Sequence, residues 1–450
     1  MRSVSWALTS AVTIVTSSCA APRSQRYRDL STELTRVEVT PAQEVGDEPI
    51  FREAPLELQP LVRAVLERNP DLQAARAAWQ AALARYPQET SLPDPMVGYS
   101  IAPLSVFSDD VRLGHTVELS QELPWPGKRR LEGEVAVAEA AMARADLVEV
   151  RLRLALMTSR LYYEYYVAAR AIDIVREYLA LLAEQQKSID IQLSAGRAWQ
   201  DDVLALDIEV AERRRELIQM QAMLDLVAQQ INAMLHLLPQ LPLPPPPAQL
   251  PAPPEPEAAL AELQERALRN RPELGSIEAR AEAARAAIAV ADRSFYPDFR
   301  LMGQYTTMFM EIEHQFMIGV GINLPIYRAR RRAAVDQAEA RLVQARAQRA
   351  GLADDVRREV AGAWRRYAEA RQMLAVYQEQ IVPAAEQRVD AIWLGLQSGR
   401  AEYVEVLRAR RELEMARLAV ERMLAQAHER RVELDRAQGI LPTVSNGDRP

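Results

Sequence analysis

The chain has 450 residues, 49% of them hydrophobic, and a formal net charge of −7. No window approaches 18 consecutive apolar residues, which argues against a membrane-spanning helix. The acidic balance argues against a nucleic-acid partner, because phosphate binding calls for a basic face. The four histidines are scattered, and no metal, phosphate-loop or nucleophile motif is present. We therefore expect neither an enzyme nor a bound cofactor or metal.

Residues 1–19 have the pattern of an export signal, with one basic residue, a short apolar core and small residues before Cys19. Cys19 stands where a bacterial lipoprotein signal is cut and lipidated, so the sequence predicts a lipid anchor there. The alternative is a plain secretory signal with an incidental cysteine. Because Cys19 is the only cysteine, no intramolecular disulfide can form. Residues 20–55 are polar and irregular, which indicates a tether.

The first structural repeat is predicted over residues 56–237. A helical pattern is interrupted at Asn69 and followed by two amphipathic strands, and a proline-rich corner then leads into a helix of unusual length. The predicted elements are a helix at 56–86, strands at about 96–101 and 111–121, a long helix at Lys128–Ser194 and a return helix at 198–236.

A second repeat follows a proline-rich strap at 238–257 and covers residues 258–438, before a tail at 439–450. Pro70 corresponds to Pro272 and Pro124 to Pro325 at an almost constant offset, so the whole unit is duplicated. Pro383 has no counterpart and predicts a local kink. The predicted elements are a helix at 258–295, strands at about 299–308 and 314–324, a long helix at 328–397 and a return helix at 401–438.

Each candidate hairpin has one apolar and one polar face, as a transmembrane β-barrel requires, although a hairpin packed on a soluble core would show a similar pattern. Two strands per repeat give four per chain, too few to close a barrel without exposed edges. Several chains must therefore share one barrel. A 67-residue helix would span about 100 Å and needs equally long neighbours.

The motifs LPDPMVGYS, SQELPWPGKRR, YPDFRLMGQY and VGINLPIY, with the pair LSAGRAWQDDVLAL and LQSGRAEYVEVLRA, resemble the TolC-type outer-membrane efflux proteins, most closely their CusC/CzcC heavy-metal branch. The resemblance covers both repeats. It implies a mainly α protein with transmembrane β structure: a homotrimer whose twelve-stranded β-barrel continues into a twelve-helix α-barrel.

The resemblance further implies a location in the bacterial outer membrane, extending into the periplasm, and docking to a periplasmic adaptor protein and an inner-membrane pump. The chain would be the passive exit duct for metal cations or small toxic compounds. A non-channel envelope coiled-coil protein is the alternative, since it would also have long helices and a signal peptide. Such a protein would lack the duplicated amphipathic hairpins.

Two groups of residues are candidate sites. The thioether and imidazole groups of Met302, Met308, Met310, His314 and Met317 suit Cu(I) or Ag(I), although methionine on a strand can also serve packing. Matching helical hairpin tips carry a glycine, an arginine and a following acid, and the resemblance implies a periplasmic aperture and adaptor contact there. The tip residues are Gly196, Arg197 and Asp202 in the first repeat and Gly399, Arg400 and Glu405 in the second.

Overall fold

The computed structural model describes residues 24–37, 45–51, 55–102, 114–194, 199–255, 258–307 and 315–441. Several predicted features lie outside these ranges: Cys19, Gly196, Arg197, Met308, Met310 and His314. The first-repeat elements are α1 (Gln25–Arg36), α2 (Leu58–Arg68), α3 (Pro70–Thr90), β1 (Met96–Ala102), β2 (Gly114–Leu123), α4 (Lys128–Ser194) and α5 (Gln200–Met234). The second-repeat elements are α6 (Leu260–Asn270), α7 (Pro272–Arg293), β3 (Phe299–Thr306), β4 (Gln315–Ile322), α8 (Arg328–Val376), α9 (Val382–Gln397) and α10 (Tyr403–Ala437).

The kink predicted at Pro383 takes the form of a π-helical turn, Tyr377–Ile381, between α8 and α9. Proline has no N–H, and its ring crowds the carbonyl four residues earlier, here that of Glu379. The wider turn contains that carbonyl and lets the helix continue. Pro87 has a milder effect, because α3 runs through it to Thr90, four residues beyond the expected end.

The chain divides into two compact units that cut across the two sequence repeats. Unit 1 consists of Met1–Val37, Ala75–Asp146 and Glu273–Gly351, and unit 2 of Glu38–Ala74, Leu147–Pro272 and Leu352–Pro450. Each unit therefore contains corresponding segments of both repeats. Helices α4 and α8 are long enough that each contributes residues to both units.

Unit 1 contains an antiparallel sheet of four strands in the order β1-β2-β3-β4. Its register aligns Tyr99 with Val117, Val117 with Tyr305, and Tyr305 with Phe316. The two hairpins thus form one continuous sheet whose rows cross from the first repeat to the second.

Below the sheet, α3 lies very close to α4 at Gly133. A Cβ atom at Gly133 would come within 2.5 Å of Thr90 Cγ2 and 3.0 Å of the Tyr86 ring. Glycine is therefore required for this close approach. At the corner between β2 and α4, the Trp125 ring stacks on Tyr296 at 4.9 Å and on Phe299 at 5.8 Å between centroids.

Unit 2 is helical and has an aromatic core. Tyr166 and Tyr367 are fully buried. The proline-rich strap is extended and is held by side chains of the helices, as when Asn232 Nδ2 donates to the Leu241 carbonyl at 2.8 Å and the His428 ring nitrogen lies 2.8 Å from the Pro251 carbonyl oxygen. Within the described ranges, no helix has a stretch long and apolar enough to cross a membrane.

Candidate functional site

One face of the four-stranded sheet is apolar and exposed. Its odd-numbered side chains in β1, β2 and β3 share this face with the even-numbered ones in β4, as the sequence predicts. Phe316, Ile318 and Val97 are 69%, 79% and 73% exposed. A soluble protein would bury such a continuous surface. Its exposed members also include Tyr99, Ile101, Val117, Leu119, Leu301, Tyr305, Val320 and Ile322.

The opposite face of the sheet is polar, with Glu118, Gln304 and Arg300 in its rows. Two of the candidate methionines lie here, since Met302 is opposite Gly319 and Met317 is opposite Gln304. The Met302 side chain covers the strand at Gly319, where a Cβ would approach its Cγ at 3.0 Å and its sulfur at 3.3 Å. The remaining candidates, Met308, Met310 and His314, fall outside the described residues.

The hairpin tip of the second repeat connects α9 to α10. Gly399 has φ +72°, a conformation that favours glycine. The Arg400 N–H donates to the Gly395 carbonyl at 2.8 Å, and the Gly399 N–H donates to the Leu396 carbonyl at 3.0 Å. These bonds satisfy carbonyls at the helix end and fix a tight reversal. The exposed Arg400 side chain donates from Nε to Ser398 Oγ at 3.0 Å, within the same turn.

Asp202 and Glu405 hold equivalent positions at the starts of α5 and α10. Asp202 accepts a hydrogen bond from the Trp199 N–H at 3.0 Å, and Glu405 accepts one from the Glu402 N–H at 3.2 Å. Both carboxylates therefore cap a helix N-terminus, where the helix dipole also favours a negative charge. Gly196 and Arg197, in the predicted tip of the first repeat, are outside the described part of the chain.

The start of α10 lies close to the last turns of α4 and the first turn of α5 in unit 2. Tyr403 Oη is 3.0 Å from the Gln185 side-chain amide. Burial is the main cause that raises the pKa of Tyr403 to about 12; Arg410 opposes this shift, and Asp202 adds to it. The structure thus brings the Asp202 carboxylate near α10, although the two segments are far apart in sequence.

A buried charge network, which the sequence did not predict, links α5 to α10. Glu209 and Glu414 are only 3% and 7% exposed. Arg411 pairs with Glu209 and reaches Glu212 at 3.2 Å. Arg213 pairs with Glu209 at 3.3 Å, reaches Glu414 at 3.5 Å and also pairs with Glu216.

This network holds more carboxylates than guanidinium groups. Burial is the main cause that raises the pKa of Glu414 to about 7, and Glu216 and Glu209 act in the same direction against Arg213 and Arg411. Burial also raises the pKa of Tyr178, whose hydroxyl has no hydrogen-bond partner among the described atoms. The sequence could have indicated that Glu414 is buried, because Glu414 stands seven residues after the buried Leu407 and therefore lies on the core face of its helix.

Long helices are combined here with a sheet whose exposed apolar face is typical of strands that contact lipid. The family model described as "Outer membrane efflux protein" matches residues 61–235 and 263–439. These segments make up most of the chain, so the chain belongs to the outer membrane efflux protein family. This confirms the family resemblance stated above.

Individual relatives agree with this assignment. The "Cobalt-zinc-cadmium resistance protein CzcC" of Cupriavidus metallidurans is 23% identical over 401 residues, covering 87% of this chain and 92% of that protein. The solved structure of CusC has a TM-score of 0.73 at 18% identity and covers 90% of this chain and 98% of that chain. A membrane protein from Pseudomonas aeruginosa gives a TM-score of 0.74 at 21% identity, covering 91% and 98%. The two structural likenesses show the fold.

The chain is accordingly a channel component of an efflux system in the bacterial outer membrane, and not an enzyme. The alternative of an envelope coiled-coil protein without a channel is wrong, because the family match includes both repeats. The roles of the tip residues stay predictions.

Proposed function

We propose that three copies of this chain join their four-stranded sheets into one twelve-stranded barrel, and their helices into one tunnel. The main observation that supports this proposal is that the sheet has an exposed apolar face and two edge strands, β1 and β4. In lipid, an open sheet edge leaves backbone groups without partners, so four strands need strands from further copies. The apolar face would then contact lipid and the polar face would line the pore.

The helices also carry surfaces suited to other copies. Along α5, the exposed residues Leu204, Ile208, Ile218 and Leu226 share one helix face at 100° per residue. An apolar stripe of this kind is typical of a helix that packs against another long helix. A neighbouring copy would cover it in the trimer.

In this proposal the duct is passive and receives its cargo from an inner-membrane pump through a periplasmic adaptor protein. Cys19 would carry a lipid that adds an anchor at the outer membrane. The adaptor would meet the hairpin tips: Gly399 allows the tight reversal in the second repeat, and Gly196 would have the same role in the first. Arg197 and Arg400 would hold the resting aperture closed, while Asp202 and Glu405 would set its charge and favour cations.

We propose metal cations as the cargo, because the chain is similar over most of its length to a protein named for cobalt, zinc and cadmium resistance. Among the described residues no group of three or more His, Cys, Asp or Glu side chains could hold a metal ion. Met302 and Met317 on the polar face would extend the cargo to Cu(I) or Ag(I).

Mass measurement and single-channel recording test the channel proposal together. The purified protein in nanodiscs should have three times the mass of one chain, and in planar bilayers it should give discrete conductance steps. Asp202→Ala combined with Glu405→Ala should lower cation preference, whereas Arg400→Ala should raise open probability. A monomeric product without conductance would contradict the proposal.

Tolerance assays test the cargo. Cells that lack the gene should become sensitive to cobalt, zinc or cadmium, and the intact gene should restore tolerance. A Met302→Leu, Met317→Leu variant should lose tolerance to copper and silver only. If tolerance to every one of these metals is independent of the gene, the cargo is not a metal cation, and the channel proposal is unaffected.

A further inference from the structure

A cavity of about 430 Å³ that opens to solvent lies on unit 1, among α3, α4, α7 and α8. Its volume is in the range of pockets that bind small organic molecules, about 300–1,000 Å³. The walls from α7 and α8 carry no charged group and consist of alanine, valine and one serine. The apolar lining residues are Val135, Ala136, Ala287, Val290, Ala291 and Ala334.

Four charged residues lie on the α3 and α4 side of this cavity, and three of them are engaged with other groups. Arg85 pairs with Glu139 and lies 3.5 Å from Glu89. Lys128 Nζ is 3.0 Å from Asp298 Oδ2. The fourth residue, Glu132, makes no hydrogen bond or ion pair with any residue in the described part of the chain.

The surroundings of Glu132 supply no dedicated cation. Burial is the largest influence on the Glu132 carboxyl and raises its pKa above the ordinary 4.5. Lys128 and Arg129 oppose this shift, whereas Glu89 and Asp298 add to it. Arg129 is also occupied, because it donates to the Thr90 carbonyl at 3.0 Å. On the α7 side, the Arg331 guanidinium donates to the Ser294 carbonyl at 2.6 Å and to the Tyr327 carbonyl at 3.2 Å.

We propose that this cavity binds a small apolar amine in its cationic form, with the ammonium group on the Glu132 carboxylate and the hydrocarbon part against the alanine and valine walls. An apolar pocket with one carboxylate that lacks a partner suits a ligand with one positive charge and an apolar body. Burial of the ligand's hydrocarbon would supply most of the binding free energy, and the ion pair would select cations over neutral molecules. The site goes beyond the proposed duct function, because it can be occupied without a pump or an adaptor.

Three probes with the same phenyl group and similar length test the charge requirement. 4-Phenylbutylamine, 4-phenylbutan-1-ol and 4-phenylbutyrate differ only in their polar end, and calorimetry on the full-length protein in nanodiscs measures their affinities. The amine should bind about tenfold or more tightly than the alcohol, and the carboxylate should bind most weakly. Equal affinities for the amine and the alcohol would overturn the proposal.

Two variants locate the site. Glu132→Gln should lower the affinity for the amine to that for the alcohol, whereas the control Glu134→Gln should change neither, because Glu134 pairs with Arg130. Ala291→Phe should occupy part of the cavity and weaken the binding of both probes. An amine affinity that survives Glu132→Gln, or the absence of binding by any probe, would overturn the assignment.

A pH series adds a readout that a merely structural glutamate would not move. As the pH falls through the raised pKa of Glu132, the carboxylate is protonated and the affinity for the amine should fall towards that for the alcohol. The affinity for the alcohol should stay constant. An amine affinity that does not change between pH 8 and roughly pH 4.5 would contradict a role for the Glu132 charge.

Discussion

Lys128 and Asp298 tie the first strand-to-helix corner to the entry of β3, with Nζ 3.0 Å from Oδ2. The same carboxylate accepts a hydrogen bond from the Trp125 N–H at 2.8 Å through its other oxygen. Both side chains are largely buried, with Lys128 24% and Asp298 14% exposed. One aspartate thus joins the two repeats where the sheet meets the helices of unit 1.

Replacing Asp298 by alanine should therefore destabilise the protein by about 1–3 kcal/mol, because it leaves a largely buried ammonium group and a backbone N–H without their acceptor. Thermal dissociation of the assembled protein, followed by electrophoresis, measures this change. Asp94→Ala is the matched control, since Asp94 is exposed and precedes β1. Equal midpoints for the two variants would mean that the Lys128–Asp298 contact does not stabilise the corner.

Placing a charge on the apolar face of the sheet should impair membrane assembly. Ile318→Arg should cost about 2–4 kcal/mol if Ile318 lies near the bilayer midplane. Gln304→Arg places the same charge on the polar face of the adjacent strand and should be milder. Asn323 would be a poor control, because its side-chain oxygen accepts from the Asp298 N–H at 2.7 Å.

The yield of folded, heat-modifiable protein from outer membranes measures this difference. Equal losses from Ile318→Arg and Gln304→Arg would mean that the two faces do not meet lipid and pore as proposed.

Glu414 should make stability depend on pH in a defined direction. Its pKa in the folded protein is raised to about 7 from an ordinary value of 4.5, so the fold favours the protonated form. The stability associated with Glu414 is then fully present below pH 4.5, falls as the pH rises to 7 and is constant above that value. The difference amounts to about 3 kcal/mol at 1.36 kcal/mol per pKa unit.

Urea unfolding at a series of pH values measures this effect. Glu414→Gln should remove the fall between pH 4.5 and 7, whereas Glu212→Gln should preserve it, because Glu212 is 44% exposed. A Glu414→Gln variant with the pH profile of the unaltered protein would contradict a proton-binding role for Glu414.

Two helical glycines should respond in opposite directions to a larger side chain. Gly133→Leu should destabilise the protein by about 1–3 kcal/mol through overpacking, because even a Cβ would lie 2.5 Å from Thr90 Cγ2. Gly351→Ala should stabilise it by about 0.5–1 kcal/mol, because Gly351 is inside α8 and nothing lies within 4 Å of its Cβ position. Thermal midpoints of both variants check the pair, and a stabilising Gly133→Leu would contradict the close approach of α3 and α4.

The long elements were predictable because their limits have local causes. The helix Lys128–Ser194 follows a proline-rich corner, and its bounds agree with those expected from the sequence. The division of the sheet into two faces follows from a period of two along each strand, so the positions of Ile318 and Met302 were predictable as well.

The contacts between charged side chains of different helices were not predictable from the sequence. The Arg213–Glu414 contact joins residues 201 positions apart, and its existence depends on how α5 and α10 are rotated about their axes. The isolation of Glu132 is likewise a three-dimensional property, because its local sequence offers Lys128 and Arg129, and the structure commits both to other acceptors.

Photocrosslinking from an edge strand tests most directly the central claim that several copies close one barrel. Benzoylphenylalanine at Ser100 of β1 should crosslink to β4 of a neighbouring copy and give products up to the covalent trimer, with peptides from Gln315–Ile322 identified by mass spectrometry. The same group at Gln304 of β3 should react only within its own chain, since both neighbours of β3 belong to that chain. Monomeric products alone from Ser100 in folded outer-membrane protein would contradict the shared barrel.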